Sequence, residues 1–227
     1  MTPAADGLTL SRNETESLCM KAARGVGYSW GLAEEAGFAA GWLATRNFDA
    51  LTPFLALLTQ KRAQPCLRGA PFPKAGHWRA LDGGPLCPIQ SGAALTDHAA
   101  LADGPFGQDT ALDPVEIPLL LLPFLAKAAQ TCRKHVTVLW DEGALHVTPE
   151  GAFHGLDAKA WAGPTPLALR ISCVPGAKVK SAATDPINLP AHCPKTVHAL
   201  EILALKTTVP ATTASRSGAG SGTKIDD

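Results

Sequence analysis

His135-Val136-Thr137-Val138-Leu139-Trp140 and Ala144-Leu145-His146-Val147-Thr148 are two alternating runs set around Asp141-Glu142-Gly143. Side chains along a strand point to opposite faces in turn, so such a pair joined by a short polar turn predicts a β-hairpin. The hairpin decides the fold class, because residues upstream of about 115 carry helical periodicity and residues downstream carry strand periodicity. Just before it, Val115–Leu121 reads as a buried strand, and Pro123 opens a short helix toward Lys134. Just after it, Pro149-Glu150-Gly151 is a turn. Leu167–Val174 and Lys178–Lys180 then read as two strands joined by Pro175-Gly176. Pro194–Lys206 closes the patterned region as a helix with Val197, Leu200, Leu203 and Ala204 on its apolar face.

Toward the N-terminus, Ser11-Arg12-Asn13-Glu14 is a capping box, in which hydroxyl and carboxylate satisfy each other's backbone amides. The helix it opens sets Thr15, Leu18, Cys19 and Ala22 on one face. It ends at Arg24-Gly25, a cation followed by glycine. After a Gly25–Tyr28 loop, Ser29 caps a second helix running to about Arg46. Ala33, Gly37, Gly41 and Thr45 recur every four residues there. Because a glycine inside a helix costs about 1 kcal/mol relative to alanine, the stripe implies close approach of another backbone. Thr52-Pro53 reads as the cap and first residue of a third helix through Gln60. Residues 63–92, rich in proline and glycine, read as loop, and Gly92–Ala102 as a short helix.

The resulting expectation is an α+β fold, an N-terminal helical segment followed by a mixed, partly antiparallel sheet with a central hairpin. One domain spans 1–227, with its helical part at about 11–62, its sheet at about 115–206 and a glycine-rich tail at 207–227. Composition bounds the function. With 20 basic and 20 acidic residues in 227, the chain lacks the electrostatic footprint of nucleic-acid binding and the basic cluster of a membrane-surface protein. Charged residues are only 18%, against about 25% in soluble domains, which fits either a homo-oligomer or an alanine-rich composition that dilutes every other residue type. Met1–Leu10 has no charged-then-apolar leader pattern. The six cysteines stand apart and read as buried thiols, so the expected compartment is the cytoplasm.

Gly27-Tyr28-Ser29-Trp30-Gly31 satisfies G-x-S-x-G. In a serine hydrolase that pattern is a strand-to-helix elbow presenting a nucleophile, with an acid and a histidine following in the chain. Asp141, Asp157, His192 and His198 could supply them. Here a capped helix precedes Ser29 where a strand is required. The same loop supports a second reading, a non-catalytic small-molecule-binding or accessory protein. Glycine-rich backbone entering a helix offers free amides to a carboxylate or phosphate. Tyr28 and Trp30 add stacking and a donor, and Glu34 and Glu35 add sites for a cationic group. The bland alternative makes Trp30 a core anchor and the glutamates a solvated face. Nucleotide motifs fail on spacing, since Trp30 stands where the third glycine of G-x-G-x-x-G belongs and Thr223 separates Gly222 from Lys224. Cys66, His77, Cys87 and His192-Cys193 lack the close ligand pair of a structural zinc site, so neither metal nor cofactor is expected. Asp97-His98 and Asp185-Pro186 carry no pattern of their own.

Lys21-Ala22-Ala23-Arg24-Gly25-Val26-Gly27-Tyr28-Ser29-Trp30-Gly31-Leu32-Ala33-Glu34-Glu35-Ala36-Gly37 resembles the opening block of an uncharacterised bacterial family, a domain of unknown function. Thr208–Gly222 resembles that family's closing block, with threonine at 208 and 213 where an aromatic residue and an acid are expected. The two blocks span about a seventh of the chain. The resemblance implies no activity. On composition alone the glycine-rich tail reads as a flexible end; if it is ordered, the resemblance implies that it packs against the first loop, with Arg216 meeting Glu34, Glu35 or a shared ligand.

Overall fold

Helix α1 (Arg12–Gly25) starts where its local chemistry says it should. The Ser11 hydroxyl accepts from the Glu14 amide at 3.3 Å, and the Glu14 carboxylate accepts from the Ser11 amide at 2.8 Å. Helix α2 (Trp30–Ala44) follows after a short loop. The computed structural model from which these elements come describes residues 7–60, 68–175 and 189–207. The stripe on α2 packs as its composition implies. A Cβ on Gly37 would stand 2.7 Å from the Glu16 carbonyl oxygen of α1, and one on Gly41 would overlap the Glu16 side chain. Nine residues of α2, mostly alanine and glycine, are buried around much of its circumference. That is the pattern of a helix packed on more than one side.

Helix α3 (Leu51–Gln60) begins earlier than Thr52-Pro53 suggests. The Asp49 carboxylate accepts from the Leu51 and Thr52 amides at 3.2 and 3.3 Å, so Asp49 takes the capping role and Pro53 falls inside the first turn. Proline is tolerated there because those amides have no partner within the helix.

The sheet also begins earlier than expected. Strands β2 (Pro71–Phe72) and β3 (His77–Ala80) lie in the stretch read as loop. In β3 His77 and Arg79 are exposed while Trp78 and Ala80 are buried, an alternation too short to stand out among prolines and glycines. Helix α4 spans Pro88–His98, with Pro88 in its first turn, rather than starting at Gly92. The apolar run Val115–Leu121 is only partly strand. β4 is Thr110–Val115, after which Ile117 takes a left-handed φ of 44° and Pro118–Leu121 form a 3₁₀ turn leading into α5 (Leu122–Cys132). Pro118 and Pro123 have no N–H to give a ladder, and each sits in the first turn of a helical segment. The continuous apolarity records complete burial of that turn.

The hairpin is present as β5 (Lys134–Trp140) and β6 (Gly143–Val147), in register from Val136 opposite Val147 to Trp140 opposite Gly143. β7 (Phe153–His154), helix α6 (Ala158–Ala162) and β8 (Leu167–Pro175) complete the sheet region. The strand order is β2-β3-β4-β8-β5-β6-β7, with β3–β4 parallel and the other neighbours antiparallel. Outside this sheet, β1 (Leu8–Thr9) pairs with β9 (Ala191–His192) ahead of α7 (Pro194–Ala204). The fold is α+β, as the change of periodicity implies. The Lys178–Lys180 strand and all but the first residue of the 207–227 tail lie outside the described residues.

Val136, Val138, Leu145, Val147, Leu169 and Ile171 turn one sheet face inward. α5 packs against β5 and β6, α4 and α2 lie on α5, α1 lies on α2, and α7 lies on α1. One continuous apolar core runs through these layers.

Two glycines of α2 should therefore respond in opposite directions. Gly37→Ala pushes against a carbonyl oxygen and should destabilise by about 1–3 kcal/mol. Gly31→Ala meets nothing within 4 Å and should stabilise by about 0.4–1 kcal/mol. Urea unfolding of the two variants checks the pair of signs.

Candidate functional site at the α1–α2 junction

Four residues, Val26 to Ser29, join two antiparallel helices. Gly27 takes a φ of 100°, which a side chain would resist. The turn is closed by the Gly27 amide donating to the Arg24 carbonyl at 2.9 Å and the Tyr28 amide donating to the Ala23 carbonyl at 3.1 Å. The Arg24 guanidinium donates to the Tyr28 carbonyl and stacks over the Trp30 indole, 4.5 Å from the ring centroid. One cation thus fixes both the loop backbone and the aromatic ring beyond it.

Tyr28 and Trp30 part company at this point. Tyr28 is fully buried, its hydroxyl 3.5 Å from the Cys87 sulfur at the start of α4. The expected stacking role for Tyr28 fails, because its phenol is a core plug. Trp30 is 61% exposed and is no core anchor.

Ser29 works as the α2 cap, its hydroxyl accepting from the Leu32 amide at 3.3 Å. A helix precedes it, so the strand-to-helix elbow is absent. Among the described residues no histidine hydrogen-bonds its oxygen. Three of the four candidate partners are engaged elsewhere: His192 with Asp49 at 3.3 Å, His198 with Glu201 at 3.6 Å, and Asp157 as the cap of α6.

Glu34 and Glu35 do not converge, since consecutive helix positions differ by about 100° around the axis. Glu34 stands exposed one turn beyond Trp30. Glu35 turns to α5, with one oxygen 3.7 Å from the Lys127 ammonium. Its other oxygen is buried without a hydrogen-bond partner. Lys127 also lies 5.1 Å from the centre of the Phe38 ring. Arg216 lies outside the described residues, as does Cys66. His77 pairs instead with Asp113 at 2.7 Å. No group of three or more potential metal ligands converges among the described residues. The sequence had marked Arg24 only as a helix-ending cation. Helical spacing does not reveal its grip on Tyr28 and Trp30, because both lie beyond the end of α1 and are brought to it by the turn at Gly27. Nothing local could have revealed Lys127.

Residues 10–81 match the family described as Protein of unknown function (DUF3726). The resemblance to an uncharacterised family is thereby established over this segment, which holds the whole junction and the 21–37 block. The match covers about a third of the chain and carries no assigned activity. No curated protein and no solved structure matches the chain. Among the described residues no helix is long and apolar enough to cross a membrane.

The thiols sort by environment. Burial pushes Cys19 far up and Cys173 up to about 12. Cys193 is exposed, and the amides of Thr196 and Lys195 at the start of α7 hold it below the usual thiol range. Only the thiolate is the nucleophile. Iodoacetamide at neutral pH should therefore label Cys193 first among the described cysteines, as read by peptide mass spectrometry, with Cys19 and Cys173 unreacted until unfolding. Separately, Ser29→Ala should cost about 1 kcal/mol through loss of the cap, and Ser29→Asp should restore most of it, as read by chemical denaturation.

Proposed function

We propose that the α1–α2 junction is a recognition surface and that the protein acts by binding a small molecule, not by catalysis. The observation that carries this reading is Trp30, exposed yet held in place by Arg24. An indole ordered in that way offers a rigid apolar surface with little further conformational entropy to lose.

The chemistry around it selects a ligand class. The amides of Trp30 and Gly31 open α2 while Ser29 occupies only that of Leu32, leaving the helix start to an anion. The space beyond the Gly31 Cα is open to approach. Glu34, one turn along, suits a cationic group. A small zwitterion, with its carboxylate or phosphate at the helix start, its amine toward Glu34 and its body on Trp30, fits all three. The protein is read as cytoplasmic, since free thiols at Cys19, Cys87, Cys132, Cys173 and Cys193 suit a reducing compartment.

A thermal-shift screen against amino acids and small phosphorylated amines tests the reading. A ligand at a hundred times its Kd stabilises by about 2.7 kcal/mol, an upward shift of about 5–10 °C for a chain of this size. Trp30→Ala and Glu34→Gln should each retain the fold and lose most of that shift. A ligand whose shift survives both substitutions would overturn the proposal.

A further inference from the structure

On the far side of α1 from α2, the helix forms one wall of a groove whose other wall is α7. The groove encloses about 750 Å³. Along α1 its wall runs Glu14, Ser17, Leu18, Lys21, which is one helix face at i, i+3, i+4 and i+7. Val197, Glu201, Ala204 and Leu205 face it from α7 and the turn that follows, with the Glu201 carboxylate 3.6 Å from its own helix neighbour His198. Leu205 is 64% exposed, and with Leu10, Leu18, Val197 and Ala204 it makes the groove largely apolar. Apolar surface grouped in this way marks an interaction site.

The order of charges along α1 says what fits it. Glu14 is anionic, Lys21 is cationic, and Ser17 and Leu18 lie midway between them. Lys21 has no hydrogen-bond or ion-pair partner among the described residues. A face with opposite charges at equal distances from its centre is complementary to its own antiparallel copy. A two-fold axis near Ser17 and Leu18 would set Glu14 against Lys21 of the partner subunit, and Lys21 against Glu14 of the partner subunit. Leu18 and Leu205 would then close over the apolar centre.

We propose that this groove is the interface of a homodimer in which α1 packs antiparallel to α1 of a second copy. The mixed signs disfavour a strongly acidic or basic partner, which one of the two charges would repel. The scarcity of charge over the whole chain favours the same occupant.

Light scattering on the eluting full chain, across a concentration series, tests this. The expected mass is about twice the 23.6 kDa of one chain. Leu205→Glu and Lys21→Glu should each return the monomer mass with unchanged circular dichroism. The double variant Glu14→Lys with Lys21→Glu should recover the dimer, because swapping both charges restores the pairing. A wild-type chain that stays monomeric at every concentration overturns the proposal. So does a dimer that survives both single substitutions, or a double variant that folds but remains monomeric.

Discussion

The contact of Glu16 with Gly37 and Gly41 sets the geometry on which the rest depends. Glu16 lies nine residues before the end of α1, and the two glycines lie seven and eleven residues after the start of α2. Equal distances from the loop are what an antiparallel pair requires. Without side chains on α2, the α1 backbone comes within van der Waals reach, and a four-residue connection suffices. The entropic cost of glycine in a helix is offset by dispersion contacts that a larger side chain would forbid. Because α2 is small on its other faces too, α4 and α5 also approach it, and the sheet is brought under the helices by the same economy of volume.

A short connection then forces neighbouring side chains into opposite environments. With Gly27 in a left-handed conformation, Tyr28 enters the core and Trp30, two residues on, leaves it. Arg24 can satisfy the Tyr28 carbonyl only from the last turn of α1, and from there its guanidinium also covers the indole. Gly25 has its own constraint, since a Cβ there would overlap the Leu203 carbonyl of α7. The Arg24–Gly25 pair thus does more than end a helix. It locks α1 to α7 on one side and the loop to Trp30 on the other.

What could be read from the sequence was whatever local chemistry decides. The Ser11 box, the Ser29 cap, the small stripe on α2 and the β5–β6 hairpin all depend on residues within a turn or two of one another. What could not be read depends on distant partners. β8 lies between β4 and β5, and β3 runs parallel to β4, through pairings that no window of sequence contains. Tyr28 is buried because Cys87, 59 positions away, meets it. That Glu35 meets Lys127 depends on α5 being packed against α2, which no local pattern shows. Two errors were competitions lost between local signals. Asp49 outbid Thr52 as the α3 cap, and the prolines at 118 and 123 outweighed the apolar run that suggested a strand.

α1 carries both of the surfaces proposed above, and the helix relates them. Its C-terminal end builds the junction around Arg24, and its solvent side forms the groove around Ser17 and Leu18. Arg24 is six to seven residues from the centre of that groove, or about 10 Å along the axis at 1.5 Å per residue. In an antiparallel dimer the two junctions would therefore stand about 20 Å apart along the helices, at opposite ends of the interface. Lys21 and Arg24 occupy neighbouring turns of one rigid rod, so a shift of α1 at the interface would reach the Trp30 clamp without passing through any flexible element. Coupling of that kind requires two arrangements of α1 that differ in both contacts. The tight seat of Glu16 on Gly37 and Gly41 argues against the second one. The two surfaces are thus better understood as sharing a scaffold than as signalling through it.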